Sequence, residues 1–235
     1  FPIYEIKKAI EITHKGLNGI LNTLRPELYE YQLEATFAYH VRMNGGDRCS
    51  FETIAASGSD AVILHYVENN KIMQDGDLVL LDLGAQFNQY AADISRTYPV
   101  NGKFTERQAL FYNLVLRAQE DVIQSIKPGI PFEALNQICQ KSLIKSLKEI
   151  ELIKEDSELS KYYYHGVSHY LGLDVHDIGS RNGLLRPGMV VTVEPGLYVA
   201  EEGIGIRIEG DILVTETGFE VLSKSIPKTI EAIQS

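Results

Sequence analysis

The stretch GDLVLLDLG, residues 76–84, is bracketed by glycines and, after Asp77, is a near-continuous apolar run broken by one acid, Asp82. A run this short and this apolar reads as a strand buried on both faces. It has a counterpart: GMVVTVEPG, residues 188–196, at an offset of 112 residues (Gly76 to Gly188). In that alignment Glu194 falls on Asp82 and Gly196 on Gly84. A buried carboxylate without a partner is costly, so an acid at the matching place in two apolar strands calls for a cation beside each.

Working outward, the rest of the chain repeats in the same order. Ile3, Ile6, Ile10, Leu17, Ile20, Leu21 and Leu24 predict an amphipathic helix over 3–24. Beyond Pro26, the four-residue spacing of Leu33, Phe37 and Val41 predicts a second, and ETIAASG and AVILHYV read as short strands before residue 76. In the second half Leu110, Leu114, Ala118 and Val122 mark a helix, Pro128 breaks it, and Leu135, Cys139, Leu143 and Leu147 mark another. KEIELIKEDSELSK, residues 148–161, reads as an exposed, solvated connector.

Each acid-bearing strand is followed by a second one. YAADISRTYPV supplies Asp93, 11 residues after Asp82, and GIGIRIEGDILV supplies Glu209, 15 residues after Glu194. Alternation puts Ile204, Ile206 and Ile208 on one face of the latter and Arg207, Glu209 and Asp211 on the other. With ILV following directly, the charged face reads as a site rather than a solvent edge. Two halves, each a helix pair with two acid-bearing strands, predict a pseudo-twofold α+β domain filling residues 1–235. Asp82, Asp93, Glu194 and Glu209 would then meet between the halves, where their mutual repulsion needs relief by divalent cations.

HGVSHYLGLDVHD, residues 165–177, holds three of the six histidines. His165 and His169 are four apart, which on a helix would put them on one face. The helical zinc pattern, however, has a glutamate where this chain has Gly166. With Gly172 close behind, a bend leading into an extended segment fits better. Taken alone, the cluster leaves a metal site and a set of hydrogen-bonded histidines equally open. Four carboxylates and one imidazole together suit two metals, roughly 3.5–4 Å apart, better than one closed zinc site.

The bulk composition narrows the partners. A net charge of −10 and a pI near 5.1 argue against nucleic acid or an anionic membrane surface. No apolar run approaches a membrane span. Two cysteines, Cys49 and Cys139, make no disulfide framework, so a reducing cytoplasm is the expected compartment.

The segments ILHYVEN, LLDLGAQFNQYAADISRTYPV, HGVSHYLGLDVHD, VTVEPGLYV and GIRIEGDI, in this order, resemble the pita-bread metallopeptidases, the family of methionine aminopeptidase, aminopeptidase P and prolidase. Within it the chain looks most like the Xaa-Pro aminopeptidase (aminopeptidase P) branch. The resemblance implies a pita-bread fold with two divalent ions, manganese first and cobalt, iron or zinc next. It implies five metal ligands, Asp82, Asp93, His169, Glu194 and Glu209. Asp93 and Glu209 would bridge the ions, Asp82 would serve one, and His169 with Glu194 the other. It places His65, His165 and His176 in the substrate site, with Arg207 in support. The implied reaction releases the N-terminal residue from peptides with proline second. In it Glu194 shuttles the proton to the leaving nitrogen, and His176 or His65 donates to the developing oxyanion. A prolidase cutting bare Xaa-Pro dipeptides is the alternative, and a non-catalytic binding module of the same fold a more distant one. Bacterial members often have an aspartate directly after the ligand glutamate, where this chain has Gly210 and then Asp211. Members also usually carry an N-terminal domain that helps close the site and build homo-oligomers, whereas Phe1 leads straight into the first helix. The expectation is that the full-length protein has this domain, with a natural short form the alternative.

Overall fold

A computed structural model describes residues 2–234. The first half opens with α1 (Pro2–Leu21) and α2 (Glu30–Met43). Six strands follow: β1 (Arg48–Cys49), β2 (Ile54–Ser57), β3 (Leu78–Leu83), β4 (Ala85–Phe87), β5 (Tyr90–Ala91) and β6 (Ile94–Pro99). The second half repeats the plan with α3 (Glu106–Ser125), α4 (Phe132–Glu149), β7 (Val190–Val193), β8 (Gly196–Val199), β9 (Ile204–Arg207) and β10 (Gly210–Val214). Short β11 (Phe219–Val221) and α5 (Ile230–Ile233) complete it. Among the described residues no helix is long and apolar enough to cross a membrane.

Local sequence accounts for the helices. Thr105 caps α3 by accepting the Gln108 N–H at 3.2 Å while the Gln108 side chain accepts from Thr105 N–H at 2.9 Å, a reciprocal box that satisfies two otherwise orphaned donors. Leu135, Cys139, Leu143 and Leu147 line the fully buried face of α4, and Leu33, Phe37 and Val41 that of α2. Cutting a leucine at such a position back to alanine costs about 2–5 kcal/mol. Each helix pair covers its own large core, and a third, smaller apolar cluster gathers Ile54, Ala56, Ala61, Tyr66, Leu80 and Tyr198.

The strands of each half form one long bent hairpin. β3 pairs with β6 and β4 with β5; β7 pairs with β10 and β8 with β9. Register stays in phase through each bend, since Asp82 faces Ser95 and Gln86 faces Ala91, while Val193 faces Gly210 and Gly196 faces Arg207. Continued across the bends, Gly84 opposes Asp93 and Glu194 opposes Glu209. Ser95 is therefore the equivalent of Glu209, and Arg207 the equivalent of Asp93. The second acids of the two halves, Asp93 and Glu209, are thus not equivalent but offset by two residues. The cause is the turn: Asn88 and Gln89, both at positive φ, close the first hairpin, whereas Ala200–Glu202 and Gly203 close the second.

Three other expectations change. AVILHYV is a 3₁₀ turn over Gly58–Val62 followed by an irregular loop, because its apolar residues split between the core (Ala61, Tyr66) and a cleft (Leu64, Val67). The 148–161 connector is not wholly solvated, for Ile153 and Leu159 pack into the second core. Leu110 sits on the exposed side of α3, where Phe111 and Tyr112 take the buried places.

Candidate metal centre and cleft

Acids sit where strands leave one sheet and join another. Asp93 separates β5 from β6, Glu194 follows β7 and precedes β8, and Glu209 separates β9 from β10. Asp82 lies within β3, two residues before the crossing at Gly84. A strand that changes sheets must bend, and the bend lets its side chain leave the strict alternation of the pleat. At Gly84 the crossing is so close that a Cβ would overlap the Ala92 carbonyl. The run 203–214 is thus two strands and not one, and both of its faces are buried: Arg207, Glu209 and Asp211 as fully as Ile206 and Ile208.

His169 is the centre of the cluster. Its Nε2 lies 3.2 Å from Asp93 Oδ2, 3.6 Å from Glu194 Oε1 and 3.9 Å from Glu209 Oε1. Its Nδ1 lies 3.1 Å from the Tyr170 carbonyl, which can only accept, so Nδ1 carries a proton, and in the neutral ring Nε2 presents a lone pair. A lone pair facing three carboxylates is repulsive unless a cation stands among them. The same tautomer, fixed by a carbonyl, is how metal-binding histidines are oriented. Asp93, His169 and Glu209 offer ligand atoms all within 4.8 Å of one another. Asp82 Oδ1, Asp93 Oδ1 and Glu209 Oε1 are buried without a hydrogen-bond partner. This donor set fits divalent ions.

Burial pushes the Asp93 and Glu194 carboxyls well above the ordinary range, with the Glu209 charge adding next in each case. Burial and then Asp82 raise Glu209 to about 7. Asp82 has a different environment. Arg207 Nη2 donates to its Oδ2 at 2.6 Å, Nε donates to Ser95 Oγ at 3.0 Å, and Nη1 donates to the Tyr198 hydroxyl at 2.9 Å. Ser95 in turn donates to Glu209 Oε2 at 2.7 Å. One buried guanidinium therefore ties an acid of the first half to the strands of the second.

The histidines divide. His165 Nδ1 donates to the Gly166 carbonyl at 2.9 Å, so Nε2 accepts from Tyr198, 2.8 Å away, and burial lowers its pKa to about 4. His176 packs its ring edge-on to His169, centroids 4.3 Å apart, and burial followed by His169 lowers its pKa. His65 is exposed on the loop after the 3₁₀ turn. All of them line one cleft of about 970 Å³ together with Asp82, Asp93, Glu194, Arg207 and Glu209.

Sequence reasoning missed three participants. Tyr198 and Ser95 read as ordinary strand residues, and nothing in their spacing marks them. Arg181, alone in a loop, gives no signal either, yet it lines the cleft beside His176. At Gly210 the glycine has a structural reason: a Cβ there would come 2.5 Å from Ser223 Oγ, which accepts the Asp211 N–H at 3.2 Å.

Comparison with known proteins follows the same lines. The model for "Metallopeptidase family M24" matches residues 4–216. The chain is 41% identical to the Xaa-Pro aminopeptidase of Escherichia coli strain K12 over 98% of its own length and 56% of the relative's. It is 35% identical to human Xaa-Pro aminopeptidase 3, over 99% of this chain and 49% of that one. Among solved structures, E. coli aminopeptidase P with the inhibitor Pro-Leu superposes with a TM-score of 0.95 at 40% identity, covering 99% of this chain and 57% of that one. The zinc-substituted enzyme with product matches equally, at TM-score 0.95 and 40% identity. The chain spans about half the length of the curated relatives it matches.

Proposed function

We propose that this chain, which belongs to metallopeptidase family M24, is the catalytic domain of an aminopeptidase that releases the N-terminal residue from peptides with proline in second position. The observation that carries the reading is His169, its Nε2 lone pair aimed at Asp93, Glu194 and Glu209 on the wall of a large cleft. Relatives named Xaa-Pro aminopeptidase, and a neighbour solved with Pro-Leu, supply the substrate class.

Asp82, Asp93, His169, Glu194 and Glu209 would hold two divalent ions, and the oxygen-rich donor set favours manganese. When bound, such ions polarise a peptide carbonyl and make water nucleophilic at neutral pH. The chain does the rest. Arg207 fixes Asp82 and, through Ser95, Glu209. Glu194, with the most exposed side chain of the four acids at 19%, carries the proton to the leaving prolyl nitrogen. His176, kept neutral by burial, or His65 across the cleft donates to the developing oxyanion. A prolyl nitrogen has no hydrogen to grip, so the ring is held by shape, and Phe51, Leu64, Phe132 and Tyr170 give the cleft apolar walls.

A second reading has one observation behind it. A prolidase must bind the carboxylate one residue past the scissile bond. Arg207 is committed to Asp82, but Arg181 is a further cation in the cleft. Metal analysis beside cleavage of Xaa-Pro-Xaa and Xaa-Pro substrates separates the two: tripeptide hydrolysis supports the aminopeptidase, and dipeptide-only hydrolysis replaces it with the prolidase. A homo-oligomer, with further chain closing the cleft, belongs to the same proposal.

A further inference from the structure

Glu30, the first residue of α2, is a carboxylate with no exposure at all and, among the described residues, no ion-pair partner. Four donors converge on it. Its Oε1 accepts the Ser57 N–H at 2.7 Å and the Ser57 hydroxyl at 2.6 Å; its Oε2 accepts the Tyr66 hydroxyl at 2.8 Å and the Lys71 N–H at 3.0 Å. The backbone joins in, with Glu30 N–H donating to the Lys71 carbonyl at 3.0 Å. One turn along α2, Glu34 accepts from buried Asn69, held at φ 44°, whose Oδ1 accepts the Ala55 N–H. The Lys71 ammonium donates to the Ser57 carbonyl at 3.4 Å and to Ser59 Oγ at 3.2 Å, and pairs with Asp60 at 3.4 Å.

A buried acid is an expensive way to pack a helix, since an apolar side chain would fill the space without the desolvation cost. What this one does is clasp both ends of a loop. Ser57 precedes the 3₁₀ turn, Lys71 closes the loop, and Tyr66 is its inward anchor. Between Val62 and Glu68 only Tyr66 is buried; its neighbours Leu64, His65 and Val67 face the cleft. An exposed histidine on an irregular loop has no secondary structure to hold it still. The residue directly behind it is the one that Glu30 grips.

We propose that Glu30 is a positioning residue for hydrolysis, fixing His65 over the cleft through Ser57, Tyr66 and Lys71. The inference rests on the role given to His65 above.

The test is made in the metal-loaded full chain. E30Q keeps the shape but sets an amide N–H against either the Lys71 or the Ser57 N–H. Y66F deletes a single hydroxyl and serves if E30Q folds poorly. Hydrogen exchange should speed up over residues 59–71 in both, with metal stoichiometry unchanged. Turnover of an Xaa-Pro-Xaa peptide should fall about tenfold in E30Q, as for a misplaced catalytic group, and less in Y66F. In an H65A background E30Q should cost nothing more. Unaltered exchange over 59–71, or an E30Q loss that multiplies undiminished with that of H65A, overturns the inference. Normal turnover in H65A would instead remove the role assigned to His65, and the exchange result would still decide whether the clasp exists.

Discussion

Ser95 and Glu209 occupy equivalent register positions in the two halves, and their side chains hydrogen-bond each other at 2.7 Å. The pseudo-twofold axis therefore passes between them. A second pair of contacts obeys the same symmetry. Thr97 Oγ1 accepts the Arg207 N–H at 3.2 Å, and its counterpart Asp211 accepts the N–H of Asp93, the counterpart of Arg207, at 3.3 Å. The repeat has kept a side-chain oxygen on the matching backbone N–H while the residues at equivalent places diverged into acid, cation and hydroxyl.

Asp93→Ala should lose at least one metal ion and nearly all activity. Removing a ligand should weaken metal binding beyond the roughly 10–100-fold typical of losing a group behind a ligand. Elemental analysis after dialysis, run beside peptide hydrolysis, checks it. Full metal content with normal turnover would remove Asp93 from the ligand set.

His65→Ala and His176→Ala should behave differently from Asp93→Ala. Neither imidazole is among the ligand atoms gathered around His169. Both variants should keep their metal while turnover drops roughly 10²–10³-fold, the usual loss for an oxyanion donor. Metal depletion in either one would move that histidine into the coordination sphere.

The metal-free protein should be less stable as pH rises. Glu209 moves from an ordinary 4.5 to about 7 in the folded chain, and Asp93 and Glu194 shift in the same direction. A raised folded pKa means that the native state binds protons the unfolded chain has released. The stabilisation is complete below about pH 4.5 and is lost as pH climbs through 7. Melting temperatures of chelated protein should therefore fall between pH 6.5 and 8, above the range in which the lowered His165 and His176 work in the opposite direction, relative to a metal-loaded control. A flat or rising profile would contradict the crowding of these acids.

Substrate choice gives the fourth test. With manganese added, Xaa-Pro-Xaa tripeptides should be cut well, Met-Ala peptides poorly, and Xaa-Pro dipeptides weakly, because Arg207 is held by Asp82, Ser95 and Tyr198. Strong dipeptide cleavage abolished by Arg181→Ala would establish the prolidase reading instead. A Met-Ala preference would remove both.

Much of this was legible because GDLVLLDLG and GMVVTVEPG are local signals: apolar strands declare themselves, and matching acids within them declare a site. The helix pairs were legible for the same reason. What stayed hidden depends on how the halves meet. Alternation along 203–214 cannot reveal that the chain changes sheets at Glu209, since that bend is decided by packing against β6 and β7. The two-residue slip between Asp93 and Glu209 was invisible because the closing turns differ in length, and a turn length fixes register only once the pairing is known. Tyr198, Ser95 and Arg181 take their roles from distant neighbours, which no spacing encodes.

Because Asp82 and Asp93 come from one hairpin and His169, Glu194 and Glu209 from the other side of the axis, neither half possesses the centre by itself. In the proposed ligand set each of the two ions would draw carboxylates from both halves, so ion binding would add to the cohesion between them. The metal would thus act as a thermodynamic latch, and its release would be felt first as loosening along the axis. Solvent access to Arg207, the buried guanidinium that spans that junction, would report the opening before either helix pair begins to melt.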